Sequence, residues 1–315
     1  MGEILSFGAA SGQAARVDTV FLMILVIGGF FFVLTQGLLI YFAVKYRRRR
    51  PDRDNETPQI TGDYLLEFFW ILIPSIVVVA IFYYGWLVYA DLRIPPAGAT
   101  DVYVNARQWM YEVRYTDGRT AINEIHVPAG KPVRFILSAS DVLHGFYLPD
   151  FRVKMDMIPG RTTTLWVQPD RPGRYPIYCT VFCGAGHSNM TANLIALPPA
   201  EFAQWEAGGE RGGPEGKGPE ALAARGERIM KSAGCLNCHA VEGKKIGPPF
   251  KGLFGSRVTL EDGTTVAADE EYLRESITDP GAKIVKGYQN MMPTFKTTLS
   301  TEDVNGLVEY IKGLK

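Results

Sequence analysis

The sequence predicts a membrane-anchored, multidomain chain: a two-helix transmembrane hairpin, then a β-sandwich or barrel, then a helical tail. Three observations predict it. Residues 19–44 and 68–90 carry no charged side chain. Short β-rich runs separated by turn signals fill residues 101–197, and residues from Pro219 onward show helical periodicity. Composition agrees. Lys plus Arg number 33 against 33 Asp plus Glu, and the mean hydropathy is 0.00, as expected for a few spans joined to polar domains. A neutral chain lacks the basic face of nucleic-acid binders, so no nucleic acid is expected as a partner. A hydrophobic share of 47% excludes a disordered chain. Only 4 cysteines in 315 residues exclude a disulfide-stapled module.

A spanning helix needs about 20 apolar residues, and both uncharged runs are long enough. The segment before the first run lacks a basic n-region, and the run is too long for a signal peptide, so it is expected to be retained as an anchor. Between the runs lie Lys45, Arg47, Arg48, Arg49, Arg50 and Arg53. Short Lys/Arg-rich loops stay cytoplasmic. The N-terminus and everything after about Asp91 are therefore expected on the periplasmic or outer side of a bacterial cell (inner) membrane. Residues 1–92 form the N-terminal segment and its two spans.

Residues 93–200 read as the β-domain. Its runs cover 101–114, 133–138, 162–167, 174–178 and 191–197, with turn signals such as Asp117-Gly118, Ala129-Gly130 and Pro159-Gly160 between them. Short strands at such spacing predict a sandwich or barrel. Residues 201–219 read as a linker, because 208–218 are dense in Gly, Glu and Pro without an apolar period. A chain of that composition is expected to tether, not to strut. Residues 220–315 read as the all-α domain, with helices at 221–233 and 270–278. A last helix starts at the Ser300 cap, with Asp303 three residues on, and sets Val304, Leu307, Val308 and Ile311 on one face.

The cysteines fall into two clusters. Cys235-Leu236-Asn237-Cys238-His239 is the C-x-x-C-H attachment motif of a c-type haem. Cys235 and Cys238 would add to the haem vinyl groups and His239 would be the proximal ligand. Met292, directly before Pro293, is placed to be the second axial ligand, with Met291 as the alternative. A thioether there raises the potential relative to a second imidazole. A dithiol redox motif or half a zinc site are the competing readings, but no further Cys or His follows to complete a zinc site.

The earlier cluster is Cys179-x3-Cys183-x3-His187-x2-Met190, with His144 upstream. One thiolate, two imidazoles and a thioether make a mononuclear blue-copper set. Here a second thiolate is added. Two thiolates on one loop can bridge a pair of coppers, each taking one imidazole, with Met190 and a backbone carbonyl completing the set. That is a dinuclear CuA centre. A disulfide or a zinc site would leave Met190 unexplained.

With these motifs in this order, the chain resembles subunit II of a haem-copper oxidase with a class I cytochrome c fused to its C-terminus, the caa-type arrangement of cytochrome c oxidase. The resemblance implies a cupredoxin-like CuA domain and an all-α class I cytochrome c. It implies that His144 and Met190 complete one copper, and that His187 and the Val181 carbonyl complete the other. It also implies that Gln108-Trp109 is the aromatic segment where electrons reach the copper, although a buried strand tryptophan is the plainer reading of Trp109. Glu67 matches a carboxylate at the mouth of a proton channel, against a plain interfacial carboxylate; ionisable groups at a membrane boundary are functional by default. Lys154, Asp156 and Pro159-Gly160-Arg161 match as supporting and interface residues, and His126 reads as a surface or strand-end residue.

The implied function is electron input to a respiratory terminal oxidase. An external donor, cytochrome c or a quinol-oxidising complex, would reduce haem c; electrons would pass to CuA and then to subunit I. There oxygen is reduced and protons are translocated, with other oxidase subunits as partners. One departure stands out. Val181 occupies the position where the family usually has a glutamate whose side chain reaches a magnesium ion shared with subunit I. The carbonyl survives, the carboxylate does not, and electron input to a CuA-containing nitric oxide reductase is the alternative reading. A copper chaperone is disfavoured by the second thiolate and by the haem tail.

Overall fold

A computed structural model of the chain describes residues 8–47, 61–207 and 218–315. Arg48, Arg49, Arg50 and Arg53 of the basic loop, and residues 208–217 of the expected linker, lie outside the described residues. Two compact units are resolved, residues 1–94 and 95–315.

The first unit is a helical hairpin. Helix α1 runs Gly12–Lys45 and α2 runs Tyr64–Arg93. Both have apolar windows of mean hydropathy 2.5, almost none of it buried within the protein. Such a helix needs a non-aqueous surround, because the described residues cover almost none of that apolar surface. Each start is capped. Ser11 Oγ accepts from the Ala14 N–H at 3.1 Å, and Asp63 Oδ1 accepts from Leu65 and Leu66 N–H groups, satisfying amides that no helical carbonyl can reach. Glu67 lies in the first turn of α2. Arg16 near the start of α1 donates to Asp91 near the end of α2 at 2.6 Å, so the helices are antiparallel.

In the second unit, residues 100–197 form a β-sandwich. The strands are β1 Thr100–Arg107, β2 Met110–Tyr115, β3 Thr120–Ile122, β4 Glu124–Pro128, β5 Val133–Ala139, β6 His144–Leu148, β7 Val153–Met157, β8 Thr163–Val167, β9 Gly173–Tyr178 and β10 Thr191–Leu197. They make two five-stranded sheets, β3-β2-β1-β5-β8 and β4-β10-β9-β6-β7. Alternation in β5, with Val133, Phe135, Leu137 and Ala139 buried, shows why a period of two folds this way: one face meets the opposite sheet. Phe135 and Tyr111 both pack against Phe146 across the core. The run 101–114 divides into two strands, because Arg107 pairs with Met110 and the chain reverses through Gln108 and Trp109, which are joined by a cis peptide.

Helix α3, Pro199–Glu206, occupies the first residues of the expected linker. It brings Trp205 onto the sandwich, where the indole stacks on His126 at 4.9 Å, lies under the Arg119 guanidinium at 3.8 Å and meets Tyr115 edge-on. His126 therefore serves as a stacking platform on β4.

The C-terminal lobe holds α4 Pro219–Ser232, the short α5 Cys235–Cys238, a hairpin of β11 Arg257–Thr259 and β12 Thr265–Ala267, α6 Glu270–Thr278 and α7 Thr301–Gly313. Ser300 and Asp303 form the expected capping box. Val304, Leu307, Val308 and Ile311 face a core with Met230, Tyr272, Leu273 and Ile277. Helices α4 and α7 cross at Gly226, where an added Cβ would run into the Gly306 carbonyl. Gly226 thus meets Gly306 and Tyr310, with Leu307 buried alongside. Arg225 pairs with Asp303 at 2.8 Å beside the crossing. Met110 and Ile122 of the sandwich belong to this same core cluster, so the lobe packs directly on the sandwich.

Gly226→Ala should force α4 and α7 apart. Overpacking of this kind costs about 1–3 kcal/mol. Urea unfolding followed by helical circular dichroism should show the lobe melting earlier, while an exposed control such as Gly313→Ala leaves it unchanged.

Candidate metal centre and haem crevice

The loop between β9 and β10 carries Cys179, Cys183, His187 and Met190, and His144 opens β6 beside it. Strand β6 can approach because Gly145 has no side chain: a Cβ there would collide with Thr180, including its backbone nitrogen at 2.7 Å. The Gly145 N–H points to Cys179 Sγ at 3.4 Å, and Tyr111 Oη donates to the Gly145 carbonyl at 2.6 Å. The loop is thereby fixed to both sheets.

Around this frame the donors converge. Cys179 and Cys183 Sγ atoms stand 3.8 Å apart and are not bonded to each other. Cys183 Sγ lies 3.5 Å from His187 Nδ1 and 3.8 Å from Met190 Sδ. Cys179 Sγ lies 3.2 Å from the Val181 carbonyl oxygen. A ring nitrogen of His144 and the two sulfurs all lie within 4.8 Å of one another. His144, Met190, Cys183 and Cys179 are buried, at 0%, 1%, 3% and 8% exposure, so an ion here would be shielded from water.

The hydrogen bonding of His144 fits a metal ligand. Its Nε2 meets the Asp141 carboxylate at 2.8 Å, which places the proton on that nitrogen. Its Nδ1 is buried without a hydrogen-bond partner; burial lowers the pKa of the ring, but contacts with Cys179 and Asp141 outweigh it and raise it, so a metal ion bound here would take the place of a proton. Asp141 is used three times, because its other oxygen accepts from the Gln108 N–H at 2.7 Å and Oδ1 also accepts from the Val142 N–H at 2.6 Å. Burial pushes the Asp141 carboxyl up, but the hydrogen bonds from His144, Gln108 and Val142 outweigh it and hold the group ionised. Burial likewise raises the Cys179 thiol, but contacts with His144 and the Gly145 N–H outweigh it and bring its pKa down. Cys183 is pushed up, by burial first and then by the negative charge on Cys179. Two adjacent thiolates in such a pocket require compensating positive charge.

Trp109 lies against the same loop. Its Nε1 donates to the Cys183 carbonyl at 3.1 Å, to which Gln108 Nε2 also donates at 2.7 Å. Its ring occupies the space where a Cβ of Gly186 would be, and it passes within 3.1 Å of a Cβ placed on Gly184. The Gly184-x-Gly186 pair was the sequence signal for this close approach. For Asp141 the signal was its place three residues before His144; only its contact with Gln108 joins segments far apart in sequence.

In the C-terminal lobe a cavity is bordered by Cys235, Cys238, His239, Phe250, Met291 and Met292. His239 Nδ1 meets the Pro248 carbonyl at 2.7 Å. A carbonyl only accepts, so Nδ1 carries the proton and Nε2 keeps its lone pair for an axial bond. The ring stacks on Phe250 at 4.7 Å, and burial lowers its pKa, keeping it neutral. Gly247 leaves room for it, since a Cβ would come within 2.6 Å of the imidazole. Burial raises the Cys235 thiol to about 12, and Cys238 is raised for the same reason. Both methionines reach the cavity; Met292 is the more covered, and Met291 is 39% exposed. Glu67 belongs to the membrane hairpin and is not gathered into either site.

Comparisons with known proteins give the family of the chain. The family description "Cytochrome C oxidase subunit II, transmembrane domain" matches residues 4–87, "Cytochrome C oxidase subunit II, periplasmic domain" matches 119–196, and "Cytochrome c" matches 223–315. Cytochrome c oxidase subunit 2 of Alkalihalophilus pseudofirmus is 33% identical over 287 residues, covering 88% of this chain and 81% of that protein. Its counterpart in Synechocystis is 30% identical over 246 residues, covering 63% and 74%. The periplasmic domain of subunit II of cytochrome oxidase of Bradyrhizobium japonicum is 27% identical, with a TM-score of 0.36, covering 38% of this chain and 98% of that one. The fold and these matches define a membrane-anchored β-sandwich joined to a cytochrome c domain. The chain belongs to the cytochrome c oxidase subunit 2 family and carries a C-terminal cytochrome c domain. It is an oxidoreductase subunit, and copper and haem follow from that membership.

Substitutions around Trp109 should separate packing from hydrogen bonding. Trp109→Phe removes one N–H donor and should cost about 0.5–1.5 kcal/mol. Gly186→Ala places a methyl group inside the ring's space and should cost about 1–3 kcal/mol. Urea titration of the copper-free chain should give that order.

Proposed function

We propose that this chain is the electron-input subunit of a terminal oxidase. It would accept electrons from an external donor at haem c, pass them to dinuclear CuA, and deliver them to subunit I, where oxygen reduction is coupled to proton translocation. The soluble parts would face the periplasmic side, with the basic loop in the cytoplasm. The observation that carries this reading is the pair of buried, unbonded thiols 3.8 Å apart, ringed by two imidazoles, a thioether and a carbonyl.

The residues fit the groups. His144, Cys179, Val181 (through its carbonyl), Cys183, His187 and Met190 would hold the copper pair. Cys235, Cys238, His239 and Met292 would hold the haem. When bound, these groups supply reversible one-electron chemistry. The protein supplies position. Asp141 orients His144, the Pro248 carbonyl orients His239, and Gly145 and Gly186 let neighbouring segments close over the copper loop. Burial excludes water, so little solvent has to reorganise when charge arrives. Trp109 is the residue through which the copper loop meets its neighbour. Glu67 keeps its proposed place at the mouth of a proton path.

Metal analysis of the full chain should give two coppers, and electron paramagnetic resonance of the oxidised protein should show one unpaired electron shared between them. A four-line single-copper spectrum, or one copper per chain, would overturn the assignment. Cys179→Ser and Cys183→Ser should each abolish the shared signal, whereas Met190→Leu should shift the potential and retain copper, since a long thioether bond is weak. Met292→Leu should remove the sulfur-to-iron absorption band of oxidised haem c; loss of that band in Met291→Leu instead would reassign the ligand.

A further inference from the structure

Residue Asn237 stands between the two cysteines of the haem motif, where the motif itself leaves the residue type free. Its Nδ2 donates to the Trp109 carbonyl at 3.4 Å. Trp109 in turn donates from Nε1 to the Cys183 carbonyl at 3.1 Å. Two hydrogen bonds, joined through one residue, thus connect the haem-attachment segment to the copper loop.

The surroundings of this link are built for a fixed seat. Trp109 and Met110 end a strand hairpin, where side chains are normally solvated, yet both are only 4% exposed. Met110 and Ile122 are buried among C-terminal lobe residues such as Met230 and Ala233. Asn123 adopts a left-handed backbone at φ 56°, held by its Oδ1 accepting from the Tyr111 N–H at 2.8 Å. Its Nδ2 then reaches Gly234, coming within 2.9 Å of where a Cβ would stand. Gly234 itself has φ 73°, so glycine is required there both for conformation and for contact. The cavity bordered by Cys235 and Cys238 is closed on one side by Gln108, Trp109 and Met110.

From this we infer that Asn237 is a positioning residue that, with Met110, Ile122 and Asn123, seats the cytochrome c domain on Trp109 in one pose and covers that segment against external donors. The inference rests on the proposed route from haem c to CuA. The transfer it serves would move one electron, the haem being oxidised and the copper pair reduced by it, with no bond made or broken. The seat as described uses apolar side chains and amides, so salt has little to screen. A donor excluded from Trp109 must deliver its electrons to the haem.

The test compares full-length wild type, Asn237→Leu and Met110→Ser, each in its oxidase complex, by amide hydrogen exchange and by flash reduction of haem c. Loss of one hydrogen bond should raise exchange at residues 109–111 and 234–238 by about 2–10-fold, with protection in α4 and α7 unchanged. The haem-to-copper rate should fall and become salt- and viscosity-dependent, while both potentials stay where they are. Met110→Ser should do the same from the sandwich side, which controls for damage to the haem lobe. Unchanged exchange at 109–111 in both variants would overturn the seat, and so would a wild-type rate that scales with complex concentration. Exchange reads the polypeptide alone. A chain that keeps Asn237-dependent protection but binds no copper would therefore reject the proposed function and leave the seat standing.

Discussion

The structure is organised around two thiols held 3.8 Å apart without a bond between them. Burying two such groups side by side opposes ionisation of both, and the protein does not relieve this by exposing either one. Instead it sets the Gly145 N–H and the His144 imidazole against Cys179. The desolvation that makes an empty pair unfavourable is what favours a cation between them. The neighbouring features serve that arrangement. Gly145 allows β6 to press on the loop, Tyr111 ties that strand to the opposite sheet, and Asp141 fixes the tautomer of His144.

The sites were legible in the sequence to the extent that their chemistry restricts residue type. Few residues can attach haem or ligate copper, so Cys235, Cys238, His239, Cys179, Cys183, His187, Met190 and His144 stand out by identity and spacing. The spans were legible for a similar reason, because a membrane tolerates so few charges over such a length. The last helix was legible from the Ser300–Asp303 cap and its apolar face.

What was not legible depends on distant strands meeting. Asp141 orients His144 from three residues away, but its second contact, with the Gln108 N–H, forms only when the segment after β1 meets the one before β6. Strand β7 has no alternation of burial to detect, with Lys154, Met155 and Asp156 all at least partly exposed between two buried ends. The run 101–114 looked like one strand because β-propensity continues through Gln108 and Trp109; its reversal is set by tertiary contacts of that indole with Gly184 and Gly186. Trp205 looked like linker because its partners, Tyr115, Arg119 and His126, lie far away in sequence.

Covalent fusion explains why so modest a contact can seat the cytochrome c domain. A diffusing partner must offset the loss of translational and rotational freedom, several kcal/mol at least, and proteins commonly do so with large or strongly charged interfaces. A domain on the same chain starts at an effective concentration in the millimolar range, so most of that cost has already been met by the peptide backbone. Two buried side chains, Met110 and Ile122, and two amides, Asn123 and Asn237, then choose the pose. The same arithmetic frees the surface around Trp109 from attracting a soluble carrier by charge. On the proposed route, selection in this chain would act on the alignment of the copper loop, Trp109 and the haem motif, and donor recognition would fall to the haem domain.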